Sequence, residues 1–281
     1  MKKEMNWPDG KQSAAMVTIE LDNEYIWSAM NVDFKKPKCR SMGTYGLLRG
    51  LDRLLDSLDE HRIKATFFIP GIVAEVYPEK VSQVDEKGHE IALHGYAHEN
   101  FAMLTPAEQE TALKKGIAAL KKVTGKTPFG FRLPEGNSTP ETIGIINDAG
   151  FLYDSSLFDG DLPYQTRING APVPLIEIPI RWELQDFPYF AFNSRPAFPA
   201  GGSRVAIYGS VLENWLYELD AYYDMGLCYV IKFDPQTIGS PGRISLFNEV
   251  LANIAKKNIW AATGNEIAAH FRRQQSGRPE S

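Results

Sequence analysis

The sequence is poor in cysteine and contains no long apolar run. Only two of its 281 residues are cysteines. Cys39 and Cys228 are far apart and match no metal-binding spacing, which argues against a disulfide-built secreted domain. No stretch approaches the roughly 20 apolar residues of a membrane span, and the basic start MKKEMNWPDG leads into no apolar segment of signal-peptide length. We therefore expect a cytoplasmic protein with no membrane partner.

Clustered positive charge and a glycine-rich phosphate motif are also missing. The net charge is -5, and no dense patch of Lys and Arg is present to bind phosphates, so we expect no nucleic-acid partner. No glycine fingerprint follows the first apolar run, which argues against an open dinucleotide-binding sheet. With 43% hydrophobic residues the chain can bury a large core. We predict one domain over residues 1–281, with its core at about 7–271 and a flexible tail at 272–281.

Short apolar runs alternate with longer segments of helical periodicity. Strands are predicted at residues 14–21, 64–70, 89–94, 129–134, 175–180, 227–233 and 259–263. Helices are predicted at residues 47–58, 73–87, 105–123, 139–150, 212–225, 244–257 and 264–272. Residues 159–203 are interpreted as long ordered loops. Such alternation indicates an α/β protein, which we predict to be an irregular (β/α) barrel rather than an open sheet.

Polar side chains follow several predicted strands. Glu20 and Asp22 end the first strand two residues apart, so both point to the same face, and Glu24 comes next. Arg132 and Asp234 end two later strands. Because the carboxyl ends of parallel strands meet at one edge, we expect these side chains to converge.

His94 and His98, in the stretch IALHGYAHEN, raise the question of a metal site. Their spacing alone is weak support, since two histidines can simply end a strand. However, Gly95 disfavours a regular helix, and two carboxylates as close as Glu20 and Asp22 would repel unless they shared a cation or a proton. Two imidazoles and one carboxylate are the ligand set of a catalytic divalent ion. We therefore predict a divalent metal cofactor.

Four motifs occur in the order TIELDNE, HGYAHEN, FRLPEG and DAGFLYDSSLFDGDLPY. Together they resemble the motifs of the polysaccharide deacetylase (NodB-homology) family of carbohydrate esterases, from residue 7 to about residue 271. The segments EIPIRWELQDFPYF and DPQTIGSPGR are similar to an intracellular branch of that family, which includes peptidoglycan deacetylase-like proteins, cyclic imide hydrolases and allantoinase-like enzymes. The resemblance implies the NodB-homology type of irregular (β/α) barrel and a homo-oligomer, often a tetramer.

The resemblance also implies roles for individual residues. Asp22, His94 and His98 would be the metal ligands, with Zn²⁺ as the expected ion. Glu20 would be the catalytic base, and Arg132 would orient that base.

Further positions follow from the same resemblance. The backbone N–H of Glu135 would help to stabilise an oxyanion, and Asp234 stands at the position of the general acid. The residues expected to contact the substrate are Glu24, Pro134, Asp161 and Trp182.

Two of these positions depart from the family pattern. Glu20 replaces the usual aspartate and places its carboxylate one methylene further out. Asp234 stands before Pro235, where the family has a histidine. An aspartic acid can donate a proton near neutral pH only if burial or a neighbouring carboxylate raises its pKa.

Three functions are compatible with these residues. The first is hydrolysis of a non-peptide carbon–nitrogen bond by metal-activated water, the substrate being an N-acetyl sugar, as a small molecule or an oligosaccharide, or a small cyclic imide or ureide. The second is a catalytically weakened member that binds a metal or a ligand. The third is a hydrolase that needs no metal.

Overall fold

The predicted alternation of strands and helices is present in the structure. The computed structural model describes residues 5–27, 36–191, 193–194, 197–198 and 205–276. The strands among these residues are β1 (Ser13–Glu20), β2 (Thr66–Ile69), β3 (Glu90–Leu93), β4 (Gly130–Phe131), β5 (Tyr153–Asp154), β6 (Tyr164–Ile168), β7 (Ala171–Glu177), β8 (Asn193–Ser194), β9 (Ala197–Phe198), β10 (Cys228–Phe233) and β11 (Ile259–Ala261). The predicted α/β class is therefore confirmed.

The helices connect and cover these strands. The α-helices of the described residues are α1 (Pro37–Tyr45), α2 (Leu51–His61), α3 (Gly71–Val76), α4 (Pro78–Glu86), α5 (Pro106–Thr124), α6 (Thr142–Asp148), α7 (Phe187–Phe190), α8 (Tyr208–Met225), α9 (Pro235–Ile238), α10 (Ile244–Lys256) and α11 (Gly264–Ser276). A π-helical turn, Gly46–Gly50, joins α1 to α2. No helix within the described ranges combines the length and the apolar character needed to cross a membrane.

The chain divides into two compact units, each built from two segments. The first unit comprises Met1–Ala65 and Arg181–Ala261. Its central strand, β1, pairs in parallel with β10 along one edge and with β11 along the other. Every residue of β1 is buried, which agrees with a strand packed on both faces.

The second unit comprises Thr66–Ile180 and Ala262–Ser281. Strands β2, β3, β4, β5 and β7 follow one another in parallel, and β6 pairs antiparallel with β7. Helices α3 and α5 pack together where Gly71 meets Gly116, since a Cβ on Gly71 would lie only 2.7 Å from the Cα of Gly116. The prediction of a single domain over residues 1–281 stays a prediction.

The start and end of α5 agree with the sequence. Thr105 and Glu108 form a capping box, in which the Glu108 N–H donates to Thr105 Oγ1 and the Thr105 N–H donates to the Glu108 carboxylate. Gly125, with φ of 71°, ends the helix in the left-handed conformation.

Several predicted boundaries are wrong. The helix predicted at residues 73–87 is two helices, because Pro78 disfavours a helical conformation of Tyr77, whose φ is -129°. The strand predicted at 129–134 is only two residues long. The final helix runs to Ser276, so the predicted flexible tail begins inside it, and residues 277–281 lie outside the described residues.

The segment 159–203 is not only loops. It contains the hairpin of β6 and β7, closed by Asn169 and Gly170, whose φ values of 50° and 81° suit a two-residue turn. Helix α7 also lies in this segment, and the two-residue strands β8 and β9 pair antiparallel.

Candidate active site

The ends of β1 and β10 carry three carboxylates in the first unit. The pairing of Ile19 with Phe233 brings the two strand ends side by side. Glu20 is the last residue of β1, Asp22 follows two residues later, and Asp234 follows β10. All three are buried, and their carboxylate oxygens include atoms within 4.8 Å of one another. The predicted convergence of these side chains is confirmed within this unit.

Lys232 of β10 places a cation among these carboxylates. Its ammonium forms an ion pair with the Glu20 carboxylate and lies 3.6 Å from Asp234 Oδ2. Burial lowers the pKa of Lys232, but the carboxylates of Asp234, Glu20 and Asp22 outweigh burial and raise it above its ordinary value. Lys232 is therefore a cation at neutral pH.

Asp186 supports Asp234 from a neighbouring segment. Both carboxylate oxygens of Asp186 accept the backbone N–H of Asp234, at 3.1 Å each. Burial raises the pKa of Asp186 to about 7, and burial, opposed by Lys232, raises that of Asp234 well above its usual range. Because its pKa is raised, Asp234 meets the requirement stated above for an aspartic acid that donates a proton near neutral pH.

Two glycines allow helices to approach the strand ends of the first unit. A Cβ on Gly43 of α1 would lie 2.3 Å from the Cα of Glu24, and one on Gly50 would lie 2.1 Å from the carbonyl oxygen of Pro235. Any larger side chain at either position would push the helical segment away. Glu24 itself is buried in the short 3-10 helix Asn23–Trp27.

In the second unit, the loop after β3 carries the two predicted ligand histidines. His94 is buried, and its Nδ1 lies 2.8 Å from the carbonyl oxygen of Arg132. A carbonyl only accepts, so Nδ1 carries the hydrogen and the Nε2 of a neutral His94 carries the lone pair. An imidazole held in this way is the form that binds metals.

His98 is also buried, and its ring centroid lies 5.1 Å from that of His94. The backbone between them is tightly folded. Gly95 has a φ of 69°, and a Cβ there would lie 2.8 Å from a Glu99 carboxylate oxygen. His98 has a φ of 56°, which is uncommon for a residue with a side chain and occurs often at functional sites. The predicted break in helical geometry is confirmed.

Arg132 is buried in the same unit and is held by Ser155. Its Nε donates to the Ser155 carbonyl at 2.7 Å, and its Nη2 donates to Ser155 Oγ at 2.8 Å. The guanidinium lies over the Phe68 ring, 4.0 Å from the centroid. These contacts fix the orientation of the guanidinium.

Ser156 extends this support to the turn after Arg132. Its hydroxyl accepts the backbone N–H of Leu133 at 2.9 Å and donates to Asp154 Oδ1 at 2.6 Å. The Ser156 N–H donates to Glu177 Oε1 at 2.9 Å. Burial raises the pKa of Asp154 to about 6, and burial and the nearby Asp154 raise that of Glu177 well above its usual range.

The remaining predicted residues have different environments. Glu135 has a φ of 61° in a short turn that also contains the buried Pro134. Asp161 is half-buried in the second unit, and Trp182, in the first unit, is 59% exposed. Their predicted contacts with a substrate, and the predicted roles of all site residues, stay predictions.

The structure groups the predicted residues in two sets. Glu20, Asp22 and Asp234 lie together in the first unit, and His94, His98 and Arg132 lie together in the second. The sequence analysis missed a further group of polar residues beside them: Lys232, Asp186, Ser155, Ser156, Asp154 and Glu177. Lys232 had a detectable signal, since it interrupts an apolar strand two residues before Asp234 and so faces the same side.

Comparison with known proteins agrees with this fold. Residues 46–153 match the family model described as polysaccharide deacetylase. A putative polysaccharide deacetylase from Mycobacterium smegmatis has a crystal structure with 34% sequence identity and a TM-score of 0.90, and the match covers 99% of this chain and 98% of that one. A peptidoglycan deacetylase of Helicobacter pylori (strain ATCC 700392 / 26695) is 27% identical, over 90% of this chain and 94% of its own length.

The crystal structure of Puue allantoinase has a TM-score of 0.82 and 21% sequence identity, and the match covers 98% of this chain and 94% of that one. At that identity the likeness concerns the fold. The fold and these relatives define a hydrolase of the deacetylase type, which acts on carbon–nitrogen bonds. The chain belongs to the polysaccharide deacetylase family, and the predicted NodB-homology fold is confirmed. The alternative of a weakened binding protein is not favoured by these relatives.

Proposed function

We propose that this protein is a divalent-metal-dependent hydrolase of a non-peptide carbon–nitrogen bond. The observation that carries the proposal is the hydrogen bond between His94 Nδ1 and the Arg132 carbonyl, because it fixes the tautomer whose Nε2 can bind a metal. Family membership supports the same reaction. The substrate is an N-acetyl sugar, free or in an oligosaccharide, or a small cyclic imide or ureide.

The proposed metal ligands are Asp22, His94 and His98. One carboxylate and two neutral imidazoles form a donor set that suits Zn²⁺, and all three side chains are buried. When bound, such an ion supplies Lewis acidity, which polarises a carbonyl oxygen and makes water more acidic.

The protein's own groups then move the protons. Glu20, an anion beside Lys232, takes the proton of the attacking water, and Arg132 orients Glu20. Asp234, whose pKa is raised by burial, returns a proton to the leaving nitrogen. The N–H of Glu135 donates to the oxyanion that forms at the attacked carbonyl.

Two substrate classes fit this chemistry. The Helicobacter pylori relative is named a peptidoglycan deacetylase, and one solved relative of the same fold is named an allantoinase. In both classes water attacks a carbonyl carbon bonded to nitrogen, so the same base and acid serve either reaction. Glu24, Pro134, Asp161 and Trp182 are proposed to contact the substrate and to determine the class. A cytoplasmic location and a homotetramer belong to the same proposal, and light scattering tests the second.

A substrate panel tests the function. The purified protein is assayed for acetate release from N-acetylglucosamine oligomers and for ring opening of succinimide, hydantoin and allantoin, while bound metal is measured. Turnover of one class with about one equivalent of metal supports the proposal. Bound metal without turnover on any of these substrates contradicts it.

Replacement of a proposed ligand tests the role of the metal. His94→Ala is expected to lose bound metal and to lower kcat at least about 1000-fold, because the ion stabilises charge in the transition state. His61→Ala, at the end of α2, is the matched control and should keep both. Full activity of His94→Ala would support the metal-free reading instead.

A further inference from the structure

Lys232 has no role in the proposed reaction, yet it contacts two of the groups that do. Its ammonium pairs with the Glu20 carboxylate and lies 3.6 Å from Asp234 Oδ2. The Lys232 side chain is only 13% exposed. A charge is rarely buried to this degree without a specific partner.

The backbone fixes the position from which Lys232 reaches these groups. Lys232 pairs with Thr18 in the β1–β10 register, and Thr18 Oγ1 donates to the Ile231 carbonyl at 2.9 Å. On the other side of β10, the Asp186 N–H donates to the Lys232 carbonyl at 3.2 Å, next to a parallel bridge from Gln185. The Lys232 main chain is therefore held from both sides.

The carboxylates around Lys232 need a counter-charge. Glu20, Asp22 and Asp234 have oxygens within 4.8 Å of one another, and like charges that close repel strongly in a buried site. A glutamate also has one more rotatable bond than an aspartate, so a contact to the Glu20 carboxylate restricts a more mobile side chain. The ammonium supplies both the charge and the contact.

We propose that Lys232 is a positioning residue for the hydrolytic reaction, whose ammonium holds the carboxyl groups of Glu20 and Asp234 at a fixed separation. The inference rests on the proposed function, because Glu20 and Asp234 matter in this way only if they are base and acid. Loss of the Lys232 ammonium should slow the reaction step and leave substrate binding nearly unchanged, since Lys232 acts through these two groups.

Three variants separate positioning from simple charge balance. Lys232→Met keeps the length of the side chain but removes the ammonium, and it is expected to lower kcat about 100-fold with little change in KM. Lys232→Arg keeps the charge and is expected to retain activity within about tenfold of the wild type. Lys257→Met is the matched control, because it breaks an ion pair of 2.8 Å with Asp220 away from these carboxylates, and it should leave kcat unchanged. Wild-type kcat in Lys232→Met, or a loss confined to KM, would overturn the inference.

A second arm needs no substrate. If the wild type hydrolyses no substrate in the panel, the proposed function fails. Thermal unfolding then tests whether the Lys232 ammonium holds the Glu20 carboxylate. Lys232→Met is expected to lower Tm by about 5–10 °C, because it leaves buried carboxylates without their cation. Adding Glu20→Gln should recover most of this loss, and the double variant also remains measurable if Lys232→Met alone does not fold. Strictly additive Tm losses would show that the ammonium does not hold Glu20, which overturns the inference.

Discussion

At the scale of single residues, Asp154 and Glu177 form a buried acidic pair behind Arg132. Each accepts a hydrogen bond from Ser156, through its hydroxyl and its main-chain N–H respectively. Burial raises the pKa of Asp154 from 3.8 to about 6, so the folded protein holds this proton up to a higher pH than the unfolded chain does. A group with a raised folded-state pKa stabilises the fold at low pH and loses that contribution as the pH rises to the folded value.

Asp154→Asn is therefore expected to change how stability depends on pH. The wild type should lose stability between about pH 4 and pH 6 through this carboxyl group, whereas asparagine cannot ionise and still offers an oxygen to Ser156. The free energy of unfolding of the variant, measured in urea at a series of pH values, should fall less over this interval. Identical slopes for the two proteins would contradict the assignment, and Asp148→Asn, on the exposed end of α6, is the control.

The sequence predicted some site residues and not others for a physical reason. His94 and His98 follow an apolar strand and are close in sequence, so local pattern was enough to single them out. Asp186 meets Asp234 across 48 positions, and Ser155 meets Arg132 across 23. Contacts of that kind depend on strand register, which the order of apolar residues does not determine by itself.

At the scale of elements, the π-helical turn Gly46–Gly50 brings a helical segment against the residues after β10. Gly46 approaches the backbone nitrogen of Gln236, where a Cβ would lie 2.7 Å away, and Gly50 approaches the Pro235 carbonyl even more closely. π-helical turns often occur at functional sites. Here the turn packs against the segment that begins with Asp234.

Gly50→Ala is expected to destabilise the protein by about 1–3 kcal/mol, because its Cβ would overlap the Pro235 carbonyl and either the helix or the turn must move. This loss would outweigh the roughly 1 kcal/mol that alanine gains over glycine inside a helix. Urea unfolding measures the difference.

Gly144→Ala in α6 is the matched control for this substitution. A Cβ at Gly144 meets nothing within 4 Å, so alanine there should raise stability by about 0.5–1 kcal/mol. A gain of the same size for Gly50→Ala would mean that the helix is not packed against Pro235.

The bounds of helices and strands were predicted well where capping and turn residues were taken into account, and poorly where such residues were overlooked. The Thr105–Glu108 capping box and Gly125 gave α5 its bounds. The Asn169–Gly170 pair is an equally local hairpin signal, but its surroundings, rich in proline and aromatic residues, favoured a loop interpretation. The two-residue strand β4 carries too few residues for any alternation to appear.

At the scale of the whole molecule, metal binding should be visible as a gain in stability. A ligand that binds only the folded state stabilises it by about 2.7 kcal/mol at 100 times its Kd. For a chain of this size, we expect Zn²⁺ to raise the Tm of chelator-treated protein by about 5–10 °C. Differential scanning calorimetry with and without the ion measures this shift.

His98→Ala distinguishes the proposed ligands from adventitious zinc binding. The variant should lose most of the Tm increase, while His61→Ala, with its histidine at the end of α2, should keep it. Equal increases in His98→Ala and the wild type would place the ion elsewhere in the protein.

The left-handed backbone of His98 also limits how the donor set could be redesigned. With a φ of 56°, this position disfavours β-branched and bulky side chains, whereas Asn and Asp adopt such a conformation more readily than most residues. Aspartate is therefore the alternative ligand that the main chain accommodates best. A change of metal preference toward harder, oxygen-seeking ions would begin at this position more easily than at His94, whose imidazole orientation depends on its hydrogen bond to Arg132.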